Sequence, residues 1–115
     1  MTEPSTKLYD LSLIQSMGSE DPKFEKNIIN LFIDTMPSVM AELTSANNAR
    51  NLELVKKIVH KMKSSIDLMG ITQIKKMIIA IEKLDSPGTE LNALIQSIGD
   101  TLPKVYTQLG QITYP

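Results

Sequence analysis

The chain reads as all-α: an up-and-down antiparallel four-helix bundle with a short additional N-terminal helix. Three observations predict this. Apolar residues recur at steps of three and four along consecutive segments, and no strand-like alternation competes. The apolar side chains are mostly Ile, Leu and Met, and only 4% of the residues are aromatic. The segments are joined by short stretches rich in Gly, Pro, Asn and Ser, and short connections favour antiparallel neighbours.

The elements follow in order. Residues 1–6 read as a flexible tail and 7–115 as a single domain. Ser5 or Thr6 can cap a first helix from Lys7 to about Met17, with Leu8, Leu11, Ile14 and Met17 inward. Gly18 and Ser19 end it, and it should lie across one end of the bundle as a lid. Asp21-Pro22 is a start signal, an N-cap acceptor followed by proline at the first helical position. The second helix runs from Pro22 to about Ala46, burying Phe24, Ile28, Leu31, Phe32, Met36, Val39 and Leu43. Pro37 removes a backbone donor and crowds the carbonyl four residues back, which predicts a kink near Ile33. Asn47, Asn48 and Asn51 mark a short loop. A third helix spans Leu52 to Met69, and Gly70 is placed to terminate it in the left-handed conformation. The fourth runs from Thr72 to about Leu84, with Ile74, Met77, Ile78, Ile81 and Leu84 inward. Asp85-Ser86-Pro87-Gly88 breaks the chain. Thr89 and Glu90 open the fifth, which buries Leu91, Leu94, Ile95, Ile98, Leu102, Val105 and Leu109. Pro103 should bend or restart it, and Gly110 ends it.

Composition narrows the function. The chain has 115 residues, enough for one core but not two. Net charge is −1, so nothing global points to nucleic acid or an acidic membrane surface. Cysteine is absent, which excludes disulfides, zinc–thiolate sites and thiol catalysis. The N-terminus shows no apolar signal region, and no apolar run is long enough to span a bilayer. A monomer in the cytoplasm is the expectation.

His60, the only histidine, carries most of the remaining information. Leu52, Val55, Val59, Met62, Ile66 and Met69 form one apolar stripe on the third helix. At about 100° per residue, His60 falls well away from the centre of that stripe. Its neighbours are Lys56, Lys57, Lys63, Ser64 and Asp67. A buried histidine is readily explained by packing; one amid a cationic, solvated face needs another account. Neutral imidazole is a good nucleophile, and the lysines favour any anion attached to it. The lysines also have a plainer explanation as a solvated face, with Glu53–Lys57 and Lys63–Asp67 at i, i+4 spacing, each pair contributing roughly 0.2–0.5 kcal/mol. We take Lys57 as such a surface charge first and Lys63, one turn past His60, as functional.

Other chemistries lack their parts. A metal site built on one His needs carboxylates facing it, and Lys56 and Lys57 hold that face. Ser64 and Asp67 lie near His60 by helical adjacency, with no strained nucleophile turn or oxyanion hole. No glycine-rich phosphate cradle is present, so autonomous phosphorylation from ATP is not expected. The seven methionines are adaptable core filler, although Met17, Met36 or Met40 could border a docking patch. Glu82 sits beside the inward stripe of the fourth helix. His60 precedes Gly70 by about as many residues as Glu82 follows it, so a hairpin there brings both to similar height. Its carboxylate is either an ordinary surface group or an acceptor for one imidazole nitrogen.

Val59-His60-Lys61-Met62-Lys63-Ser64-Ser65, with Gly70-Ile71 closing the helix, resembles the signature of histidine-containing phosphotransfer (HPt) domains: a His, a Lys three later, small residues, then a Gly. The resemblance extends to Phe32-Ile33-Asp34-Thr35-Met36-Pro37 and to Leu43. It covers about Leu11 to Leu84, and the fifth helix matches only in pattern. It implies that His60 accepts the phosphoryl group and that Lys63 pairs with it. Ser64 stands where the family commonly has Gly, still small enough for a partner to approach, with Lys56 and Lys57 on the same docking face. Glu82 matches the acidic or amide residue that orients the imidazole in some members.

The resemblance further implies a phosphorelay intermediate. Its partners would be response-regulator receiver domains, including that of a hybrid sensor histidine kinase. The chain itself would need no cofactor, because the divalent metal belongs to the receivers. The competing expectation is a non-catalytic helical adaptor that binds a signalling partner while His60 stays idle.

Overall fold

A computed structural model describes residues 7–18 and 21–112. They form α1 (Ser12–Gly18), α2 (Pro22–Asn48), α3 (Leu52–Leu68), α4 (Thr72–Glu82) and α5 (Thr89–Gly110), with no strand among the described residues. The all-α expectation therefore holds. Helix α2 packs on α3, α3 on α4, α4 on α5, and α5 back on α2, with α1 against α2. The four long helices thus enclose one core of aliphatic side chains, Leu43, Val55, Val59, Ile66, Ile74, Ile78, Ile81, Ile98 and Val105 among them. Phe32 of α2 and Tyr106 of α5 meet edge to face, ring centroids 6.1 Å apart. No helix among the described residues is long and apolar enough to cross a membrane.

Several boundaries follow from local chemistry. Asp21 accepts from the Lys23 N–H in front of Pro22 and so caps α2. Asn51 accepts from the Leu54 N–H and caps α3. At the end of α3 the Gly70 N–H donates to Asp67 and the Ile71 N–H to Ile66. This is a Schellman arrangement, and it needs its residue in the left-handed region. Gly70 supplies it with φ +63°. Helix α2 ends in the same pattern, the Arg50 N–H donating to Asn47 and the Asn51 N–H to Ala46. There the left-handed position is Arg50, φ 56°.

Other elements differ from the sequence reading. The first helix begins at Ser12, not Lys7, because Asp10 caps it: its carboxylate accepts from both the N–H and the hydroxyl of Ser12. Ser5, Thr6 and Ser19 lie outside the described residues, as does the 1–6 tail. Residues 7–11 form a strap instead. The Asp10 N–H donates to the Met69 carbonyl, and the Leu8 N–H to the Gln108 side chain at 2.8 Å. Leu11 and Ile14 are buried, but Met17 and Leu31, both assigned inward, are 59% exposed. Ile29 and Ile58 are core residues that the stripe reading did not include. Helix α2 takes in Asn47 and Asn48, so the loop is only residues 49–51. Helix α4 stops at Glu82 rather than Leu84. Helix α5 runs on through Pro103 without restarting, and Gly110 is its last residue.

Candidate functional site

Helix α3 fixes the position of His60. Val55, Ile58, Val59, Met62 and Ile66 are buried, which pins one side of the helix to the core. Residue 60 is turned outward, and the imidazole is 74% exposed. The tight turn at Gly70 then folds α4 back along α3 and brings Glu82 beside His60.

The resulting cluster has three members joined by one carboxylate. Glu82 Oε2 lies 3.4 Å from His60 Nδ1, and Glu82 Oε1 lies 2.7 Å from Lys63 Nζ. The Lys63 and Glu82 side chains are both partly buried, 29% and 26% exposed. The hydrogen bond from Lys63 holds the Glu82 carboxyl below the usual carboxylate range, partial burial opposes that, and the contact with His60 adds to it. With Nδ1 directed at a carboxylate, a neutral imidazole that keeps its proton on Nδ1 presents the Nε2 lone pair to solvent.

The other residues singled out in the sequence take these places. Ser64 is exposed, one turn beyond His60. Lys56 and Lys57 line an open hollow of about 580 Å³ together with Glu53, His60, Lys61 and Glu82. Helix-local pairing does not occur as the spacing suggested. Lys63 is engaged by Glu82 rather than Asp67, and Asp67 pairs with Lys75 of α4 at 3.0 Å. No ion pair joins Glu53 to Lys57 among the described residues. Both substitutions of partner have one cause: α4 offers carboxylate and ammonium groups at closer range than the next turn of α3. Lys61 is the residue that the sequence reading passed over. It borders both the hollow at His60 and a small groove against α2 lined by Thr35, Val39 and Ser65. Its place directly after His60 was the available signal. Of the methionines weighed as docking residues, Met17 is exposed and Met36 is buried. No group of three or more potential metal ligands converges among the described residues.

The family model described as Hpt domain matches residues 27–111. The chain belongs to the Hpt domain family. The match begins after the first helix and continues through α5, so the last helix shares more than a pattern. Hpt domains act in histidine phosphotransfer in two-component phosphorelays and interact with response-regulator receiver domains. Comparison with curated proteins gives no match, and comparison with solved structures gives none.

Proposed function

We propose that this Hpt domain is a phosphorelay intermediate that takes a phosphoryl group onto His60 from the aspartyl phosphate of one receiver and passes it to another. The observation that carries this reading is a single, solvent-facing imidazole whose Nδ1 is held against Glu82 while Nε2 stands free. In the transfer, the Nε2 lone pair attacks phosphorus in line, and the bond to the aspartyl oxygen breaks with its electrons returning to the receiver. The onward step is the same reaction in reverse, on the second receiver's Asp. The domain supplies a nucleophile, its orientation and nearby positive charge.

Lys63 is the group that pairs with the phosphoryl oxygens. Lys56, Lys57 and Ser64 belong to the docking face, the first two as positive charge and the third as a small residue that lets the receiver approach. Leu13, Met17 and Leu31 add exposed apolar surface on α1 and α2. The chain carries no cofactor, and the divalent metal sits on the receiver. The donor receiver is part of a hybrid sensor histidine kinase. The protein works as a cytoplasmic monomer, with residues 7–115 as one domain. The bundle takes the up-and-down antiparallel form, with α2 to α5 alternating in direction.

Incubation with a phosphorylated receiver tests the reading. Label should appear on the wild-type chain, resist alkali and be lost in acid, as a phosphoramidate is. It should vanish in His60→Gln. Acid-stable label, or label that persists in His60→Gln, refutes it. Absence of any label would favour the adaptor.

A further inference from the structure

Charge is spread unevenly over the molecule. Residues 52–83, which make up α3, α4 and the turn between them, carry seven lysines against Glu53, Asp67 and Glu82, a formal +4. The whole chain is −1, so the remainder carries −5. Lys63 and Lys75 are paired, with Glu82 and Asp67. Among the described residues, Lys56, Lys57, Lys61, Lys76 and Lys83 have no carboxylate partner. All but Lys56 of these five are fully exposed. Lys76 and Lys83 each follow directly on an α4 residue that reaches α3, Lys75 and Glu82, yet neither borders the hollow at His60. Beyond Lys61 the sign changes, with Glu42 of α2 on the far side of the small groove.

We propose that the α3–α4 hairpin steers its receiver by long-range attraction, that the partner face it fits carries an excess of carboxylates, and that Lys76 and Lys83 set the encounter rate without touching the transferred group. The inference rests on the phosphorelay reading above. A single exposed lysine adds little to a contact, because water and salt screen it. Summed over one face, such charges make a field that orients an approaching protein, and fields of this kind raise association rates by about 10- to 1,000-fold at low salt. The negative charge on the rest of the surface acts in the opposite sense and turns an acidic partner away from α2 and α5. The encounter is thereby biased toward the face that holds His60.

The transfer itself alters the attraction. As Nε2 bonds to phosphorus, the bond to the aspartyl oxygen breaks and its electron pair stays on that oxygen. The receiver exchanges a dianionic aspartyl phosphate for a singly charged carboxylate. This domain gains a dianionic phosphoryl group on a ring that has become cationic, a net change of one negative charge, or two once Nδ1–H is lost to solvent. The positive hairpin and the acidic receiver are therefore both weaker after transfer than before it. Loading from a given receiver is steered more strongly than discharge to that same receiver. Added salt slows loading more than discharge, and so moves the equilibrium toward the phosphorylated receiver.

The test follows phosphoryl transfer between the full chain and a phosphorylated receiver of acidic surface, over a range of receiver and salt concentrations. At about 0.01 M salt, where the screening length is ~30 Å, Lys76→Glu/Lys83→Glu should lower the second-order rate constant of loading about tenfold. The rate at saturating receiver should not change. At about 1 M salt, with a screening length of ~3 Å, variant and wild type should coincide. Lys23→Glu/Lys104→Glu makes the same change in net charge at exposed positions on α2 and α5, and it should slow loading far less. Both double variants should keep the wild-type circular dichroism spectrum, since only exposed side chains change. In wild type, discharge to the same receiver should lose less speed to salt than loading does. Equal slowing by the two double variants, a loss confined to the saturated rate, or loading no more salt-sensitive than discharge overturns this inference alone. Label found elsewhere than His60 overturns the phosphorelay reading beneath it.

Discussion

Replacing Gly70 with alanine should cost the fold about 1.5–3.5 kcal/mol, and the structure supplies both parts of that figure. Gly70 sits at φ +63°, where an L-residue with a Cβ is strained by roughly 1–2 kcal/mol. The added methyl would also meet the strap. It would run into the Asp10 carbonyl oxygen and lie 2.7 Å from Asp10 Cβ and 2.9 Å from Asp10 N. Those are mostly backbone atoms, which cannot rotate aside as a flexible side chain does. The strap must lift, and the 2.9 Å bond from the Asp10 N–H to the Met69 carbonyl loosens with it. A hydrogen bond of that kind contributes about 0.5–1.5 kcal/mol net. Against a total stability of roughly 5–15 kcal/mol, the loss is readily measured by urea denaturation followed by circular dichroism. Gly110→Ala is the control, because a Cβ there meets nothing within 4 Å. It should be neutral or stabilising by up to about 1 kcal/mol. If Gly70→Ala falls within about 0.5 kcal/mol of wild type, the range of an ordinary surface change, then neither the strain nor the clash is real.

Lys63→Ala should fold normally, within about 1 kcal/mol of wild type as a solvent-accessible ion pair implies, yet accept phosphate from a receiver roughly tenfold to a hundredfold more slowly; a wild-type rate would reduce Lys63 to a partner of Glu82 only. Ser64→Tyr should leave the melting temperature nearly unchanged and block transfer, with receiver affinity by titration calorimetry falling in step. Unimpaired transfer in that variant would move the interface off this face. Burial pushes the Tyr106 phenol up to about 12, above the ordinary value near ~10. The folded state therefore favours the neutral phenol, so its contribution to stability is complete below about pH 10 and is lost as pH rises toward ~12. Ultraviolet titration should show this tyrosine ionising late, and ionisation near pH ~10 would contradict its burial.

The sequence was most informative where one residue does one local job. Asp21-Pro22, Asn51 and Gly70 act through the backbone beside them, and each sits where a turn or cap requires it. His60 was legible for a similar reason, since a helical stripe fixes which way the remaining positions face. The failures have a different origin. Leu8 and Leu11 keep helical spacing with Ile14, but a strap that lays its side chains on the core produces the same spacing without the helix. The cap at Asp10 was the competing signal. Leu31 has the periodicity of its buried neighbours, and nothing in α2 alone says that no helix covers it. The ion pairs show the limit most clearly. Lys63–Asp67 satisfies the spacing rule, yet tertiary packing sets Glu82 and Lys75 closer, so both charges pair across helices. Glu82 itself was reachable by counting residues on either side of Gly70 and by the family resemblance, not by any local motif.

The strap also bears on the order in which the molecule assembles. His60 and Glu82 meet across 22 residues, whereas the bond between Leu8 and Gln108 spans 100. Loop closure costs more conformational entropy as the separation grows, and contacts near in sequence form first in small helical proteins. The α3–α4 hairpin can therefore set the imidazole against its carboxylate while both chain ends are still diffusing. Strengthening the contact between Leu8 and Gln108 would slow unfolding and leave the folding rate almost unchanged. The lifetime of the native state can thus be altered at the strap without touching the part of the chain that carries His60.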